Sequence, residues 1–147
     1  MPYSQDSDLT DDKISEKQLI ELTDDEGLGQ VNAARVASAR EEIDNLLDAS
    51  LRVGGYTLPF ASVPPIVKGI SINGTIYFLW QRKKKQNMPE GMKDLKKSID
   101  ALLAKIENKP NYLGVTDASA PPAGGGSYVT NKTAEDRVFT KDKLSQF

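Results

Sequence analysis

Residues 31–53 read VNAARVASAREEIDNLLDASLRV. At helical spacing Val36, Ala39, Ile43, Leu46, Leu47 and Leu51 fall on one stripe, while Arg35, Arg40, Glu41, Asp44 and Asp48 mostly lie off it. Apolar residues at intervals of three and four, with charge opposite, describe an amphipathic helix that must bury its stripe against a partner surface. The alanines favour helix and permit close approach by a neighbour, and Gly54-Gly55 supplies the stop. At roughly 20 residues such a helix is about 30 Å long. It is the longest element this chain predicts, and a small domain must be built against it.

What can be built is bounded by the residues that are missing. The 147-residue chain has no cysteine, so a disulfide framework, a thiolate zinc site and Cys nucleophiles are excluded. It has no histidine either, which removes the usual general base and the commonest neutral metal ligand. The expectation is a protein that is not an enzyme and uses no cofactor or metal. No apolar run approaches the roughly 18 residues of a membrane helix, and no basic-then-apolar leader opens the chain. No membrane association and a cytoplasmic origin are expected. The net charge of −2 conceals a division. Residues 1–29 carry nine acids against two lysines, whereas Arg82, Lys83, Lys84 and Lys85 form an uninterrupted basic run. Blocks of opposite sign can steer one copy toward another or simply form solvated surface.

Residues 1–12 are polar and acidic and read as loosely held. Ser15 with Gln18 three places on fits an N-cap with its capping-box partner, opening a short helix over residues 16–22 that buries Leu19, Ile20 and Leu22. The sequence TDDEG that follows is turn material. Its acids Asp24, Asp25 and Glu26 lie ahead of the long helix, near the positive end of its dipole, and lack the alternating spacing of a calcium loop. After Gly55, Tyr56, Leu58, Phe60 and Val63 punctuate an extended, proline-fixed loop. Pro64 and Pro65 suit a helix start.

Residues 66–81, IVKGISINGTIYFLWQ, admit two structures. Asn73-Gly74 between alternating apolar residues is a hairpin signal. Ile66, Ile70, Asn73, Tyr77 and Trp80, at intervals of four and three, describe a helix instead. Pro89 to residue 108 carries the cleanest stripe, with Met92, Leu95, Ile99, Leu102, Leu103 and Ile106. From residue 111 the composition changes, and residues 117–127 form a Pro/Gly-rich linker. Tyr128, Val129, Val138, Phe139, Leu144 and Phe147 then stand as apolar beads in a polar tail that cannot form a core of its own.

The order of these features resembles the Mu-like phage head-completion family, small adaptor proteins of the phage neck. The residues that carry the resemblance are Leu22-Thr23-Asp24, Ile43-Asp44 in an alanine-rich helix, Leu58-Pro59, Val63-Pro64-Pro65, and the closing Phe139-Thr140-Lys141-Asp142 with Leu144 and Phe147. Ser71-Ile72-Asn73-Gly74 departs from the Asp-Ile-Ala type of run usual in that family, and the glycine-rich linker is longer. The resemblance implies an all-α, small antiparallel bundle of about four helices with an extended C-terminal tail. It implies a helix over residues 65–85, a helical adaptor domain at 1–110 and a linker with docking tail at 111–147.

By the same resemblance the chain is a structural head–tail connector, a ring, dodecameric by expectation, beneath the portal protein. DNA would pass through it and a neck or tail-completion protein would attach to it. The virion neck is its implied location, after assembly in the host cytoplasm. On this reading Tyr128, Val129, Val138, Phe139, Leu144 and Phe147 bind the portal. Arg82, Lys83, Lys84 and Lys85 make either passive contact with packaged DNA, where phosphate contact without base readout suffices, or contacts between copies. Two alternatives come from other classes. A small helical nucleic-acid-binding regulator needs a basic recognition helix, yet residues 30–53 net −1. A carboxylate hydrolase would use Glu41, Glu42 or Asp44, with no oriented base to support it.

Overall fold

The computed structural model describes residues 2–84, 88–109 and 111–115. Among them lie five helices and no strand: α1 (Ser7–Asp12), α2 (Glu16–Thr23), α3 (Ala33–Val53), α4 (Pro65–Lys84) and α5 (Glu90–Asn108). The described residues are all-α, as the resemblance implies.

Residues 66–81 are helix. The hairpin signal at Asn73-Gly74 is overridden because this stretch buries Val67, Ile70, Ile72, Ile76 and Leu79, a set that only helical spacing brings to the core. Gly74 serves packing rather than a turn. A Cβ on it would lie 2.2 Å from Ile43 Cγ1, so its bare backbone is what lets α4 press against α3. Gly54 does the same at the other end of α3, where a Cβ would meet the Ile106 carbonyl oxygen at 2.4 Å.

Two apolar clusters share the core. One joins Leu9, Leu19, Leu22, Val36, Ala39, Ile72, Ile76 and Leu79; the other joins Ile43, Leu47, Leu51, Val67, Ile70, Ile99 and Ile106. The first half of α3 therefore meets the second half of α4, and the reverse, which makes the two helices antiparallel. α5 runs back beside α3, with Met92 at the first cluster and Glu107 accepting from Ser50 Oγ at 2.6 Å. Tyr56, Leu58, Phe60 and Val63 of the α3–α4 loop all pack on the second cluster, behind a cis Leu58–Pro59 bond.

Three expectations need correction. Residues 2–12 are anchored rather than loose: they carry α1, with Leu9 fully buried and Ser4 buried beside Ser71 at 2.9 Å. On α3, Leu46 is 45 % exposed while Asp44 is buried; the stripe turns a little further toward Asp44 than apolar spacing alone indicates. On α2, Leu19 and Leu22 are buried as expected, but Thr23 takes the place of Ile20. Its hydroxyl donates to the Leu19 carbonyl at 2.8 Å, so its polar group enters the core satisfied.

Candidate assembly interface

The link between α2 and α3 is the most heavily fastened loop of the described residues. α2 starts with the full capping box, Ser15 and Gln18 each bonding the other's backbone N–H. At its end Thr23 Oγ1 also accepts from Asn32 N at 3.1 Å, tying the start of α3 to the end of α2. Asp24 then accepts four backbone N–H groups, from Glu26 at 3.1 Å, Gly27 at 2.8 Å, Leu28 at 3.1 Å and Gly29 at 2.7 Å. Gly27 and Gly29 have φ of 74° and 70°, the left-handed region that glycine enters at least cost. The hydrogen bond from Gly29, opposed by some desolvation and joined by those from the other three amides, holds the Asp24 carboxyl below the ordinary carboxylate range.

Asp25 gathers cations. Arg35 of α3 pairs with it, Arg82 Nη1 of α4 reaches it at 2.7 Å, and Lys83 Nζ reaches it at 2.5 Å. Arg82 Nη2 also donates to the Leu22 carbonyl at 2.6 Å, and Lys83 Nζ to the Asp24 carbonyl at 3.1 Å. The acids ahead of α3 lie near its start, where Asp25 meets Arg35. Asn32 caps that helix by accepting from Arg35 N, and the acids build the loop and its ionic hub. The acidic block and the basic run, which could either steer one copy toward another or form solvated surface, meet here within one chain. Lys84's side chain and Lys85 lie outside the described residues.

A second polar cluster pins the N-terminal segment. Asp44 Oδ1 accepts from Ser71 Oγ at 2.7 Å and Asp44 Oδ2 from Tyr3 N at 3.2 Å, while the Tyr3 hydroxyl bonds Asp48. Asp6 pairs with Arg40 and Asp8 with Lys68 at 2.8 Å. Burial pushes the Asp44 carboxyl up, against the lowering effect of its hydrogen bonds to Ser71 and Tyr3. Burial, and then the bond to Asp48, raises the Tyr3 phenol. The Lys68 contact lowers Asp8. Ser71, which breaks the usual run of the resembled family, is thus the buried partner of Asp44. Of the hydrolase candidates, Asp44 is held in this network and Glu41 and Glu42 are exposed. Among the described residues no three acidic side chains gather as a metal site, and no helix is long and apolar enough to cross a membrane.

The tail candidates Tyr128, Val129, Val138, Phe139, Leu144 and Phe147 lie outside the described residues. On the described surface the large exposed apolar side chains are Leu28, Leu46, Val53 and Ile66. A shallow depression of about 470 Å³ lies between α1, α2 and the start of α3, with Leu19, Val31 and Ala33 among its walls. Sequence reasoning placed Arg82 and Lys83 on the final turn of α4 but missed Asp25 as their partner. It also missed the loop role of Asp24, although Thr-Asp followed by Gly is the pattern of a side chain folding back on its own backbone.

Taken together, the described residues form a small α-helical domain. The Bacteriophage Mu, Gp36 family model matches residues 3–131, and the chain belongs to that family. It is thereby a Mu-like phage protein of the structural or morphogenetic kind, at work in the virion or the infected cell. No curated protein and no solved structure matches it.

Proposed function

We propose that this chain is a head–tail connector of a tailed phage. Copies form a ring beneath the portal, DNA passes through it, and a neck or tail-completion protein attaches on the far side. The observation that carries this reading is the family match across residues 3–131. It covers the helical domain, the linker and the first beads of the tail. The packing is consistent with an adaptor: the polar groups described above are spent on fixing shape. The tail supplies the portal anchor through Val138, Phe139, Leu144 and Phe147. Of the two roles open to the basic run, contact between copies fits Arg82 and Lys83 better than DNA lining, because both are already ordered around a carboxylate.

The test is a pull-down with the portal protein of the same genome, using the full chain and a version ending at Val115. Binding lost on truncation supports the tail as anchor. Equal binding moves the portal contact to the helical domain. Absence of binding by either, with a folded portal, removes the connector reading.

A further inference from the structure

Asn73-Gly74, the pair that carries a hairpin signal, lies instead near the middle of α4. It is the chain's single Asn-Gly step, and every other asparagine precedes a residue with a side chain. Asparagine is chemically labile, and most so before glycine. With no side chain to shield it, the glycine amide nitrogen can attack the asparagine side-chain carbonyl wherever the backbone is free to bring the two together.

The fold withholds that freedom. Within α4 the Gly74 N–H belongs to the helical ladder and bonds the carbonyl four residues back, that of Ile70. Ring closure requires this bond to break and the peptide plane after Asn73 to rotate out of helical geometry. Rotation is blocked from the α3 side, where a Cβ on Gly74 would lie 2.2 Å from Ile43 Cγ1 and 2.6 Å from Ile43 Cδ1. The step is also bridged along its own helix, since Thr75 Oγ1 donates to the Ser71 carbonyl at 2.8 Å. Ser71 is tied in turn to Asp44 of α3 at 2.7 Å. Ser71, Ile72, Thr75 and Ile76 around the step are all buried. Freeing Asn73-Gly74 therefore means parting α3 from α4, which is the unfolding of the core.

We propose that Asn73-Gly74 is a latent modification site, sealed by the α3–α4 seam, that converts to isoaspartate in the unfolded chain and bars that chain from the fold. In the open chain the Gly74 nitrogen loses its proton and bonds Asn73 Cγ. The side-chain nitrogen leaves as ammonia, and a succinimide ring remains. Water then opens the ring, giving aspartate by attack at the side-chain carbonyl and isoaspartate by attack at the main-chain carbonyl. Isoaspartate places Cβ in the backbone, which breaks the helical register and moves the bare Gly74 backbone from its seat on Ile43. Helical domains fold within about microseconds to milliseconds, far ahead of ring closure, so the mark falls on chains left unfolded and withdraws them from the pool of subunits.

The test incubates the full chain at mildly alkaline pH in buffer and across a urea series. Conversion at residue 73 is read by peptide mass mapping that separates aspartate from isoaspartate. Conversion in buffer should be at least about a hundredfold slower than above the urea midpoint, because a stable domain spends only about 10⁻³ of its time or less unfolded. Below the midpoint the rate should rise with urea along the slope of global unfolding. A rate in buffer within a few-fold of the unfolded rate, or one flat in urea below the midpoint, reveals local opening of α4 and overturns the seal. Absence of conversion in the unfolded chain overturns the site itself. Material aged in urea is then refolded and the folded fraction isolated by size exclusion. Isoaspartate should be several-fold depleted there, and Asn73→Gln, which closes its larger ring far more slowly, should refold as well aged as fresh. Isoaspartate at equal share in the folded fraction, or an equal loss of refolding in aged Asn73→Gln, overturns the bar to folding.

Discussion

At Gly74 the seam between α3 and α4 leaves no room for one methyl group, since an added Cβ would lie 2.2 Å from Ile43 Cγ1 and 2.9 Å from Ile43 Cβ. The side-chain tip can turn aside, but the Cβ moves only with its backbone. Gly74→Ala should therefore cost about 1–3 kcal/mol, the usual range for overpacking, read as a lower urea midpoint at unchanged slope. Gly69 on the same helix is the internal control. Nothing lies within 4 Å of its Cβ position, so Gly69→Ala should stabilise by about 0.4–1 kcal/mol through lost freedom of the unfolded chain.

Two aspartates pull the pH dependence in opposite directions. Asp24 is lowered in the fold, first by Gly29 N–H, so its contribution is present above the ordinary carboxylate pKa of about 4. That contribution is lost as pH falls through the lowered value. Asp44 is raised by burial, so the fold gains from its protonated form, and that gain is lost as pH rises through the raised value. Asp44→Asn should remove the loss on the neutral side while keeping an acceptor for Ser71. Asp24→Asn should remove the acid-side loss and speed amide exchange at Gly27 and Gly29. Stability followed from pH 2 to 8 on the three proteins separates these effects; a difference between Asp44→Asn and the parent that does not grow with rising pH would contradict the assignment.

At the scale of elements, the sequence reveals what periodicity controls and hides what pairing controls. α2, α3 and α5 lie within two residues of where their stripes and caps place them, because apolar spacing and Ser15 capping are local properties. α4 is ambiguous locally, since Asn73-Gly74 looks identical in a hairpin and in a helix that needs a bare backbone against Ile43. α1 is invisible: six residues with one buried leucine give no period, and its hold depends on Arg40 and Lys68, 34 and 60 residues away from their partners. The same holds for the loop after α2. Asp25 meets Arg82 across 57 positions, and no local pattern indicates that. The hub is weak as a stabiliser, because exposed ion pairs are worth little even when several converge. Asp25→Asn should lower stability by less than about 1 kcal/mol, with the difference fading as salt is raised. A larger, salt-independent loss would show that the carboxylate does more than neutralise its three cations.

For the whole molecule, the question is how far along the chain packing on the helices extends. Composition changes after residue 110, and packing is described on both sides of that point. Tyr112 and Leu113 lie against the second core cluster, Leu113 N donates to the Tyr56 hydroxyl at 3.2 Å, and the first compact unit runs over Met1–Asp117. Asn111, at φ 62°, turns the chain back onto the loop that holds Tyr56. A chain ending at Asn111 therefore loses apolar cover as well as the tail, and should be less stable than one ending at Val115 by about 1–3 kcal/mol, the value of one or two partly buried large side chains. The Val115 version should match the full chain in its thermal midpoint. This difference decides how portal binding is to be interpreted. If the tail is the anchor, both truncations lose the portal equally despite their unequal stability, and Phe139→Ser with Phe147→Ser in the full chain does the same. If binding instead falls only for the version ending at Asn111, the portal contact depends on the integrity of the α3–α5 end of the domain, and the tail is released for another neck partner.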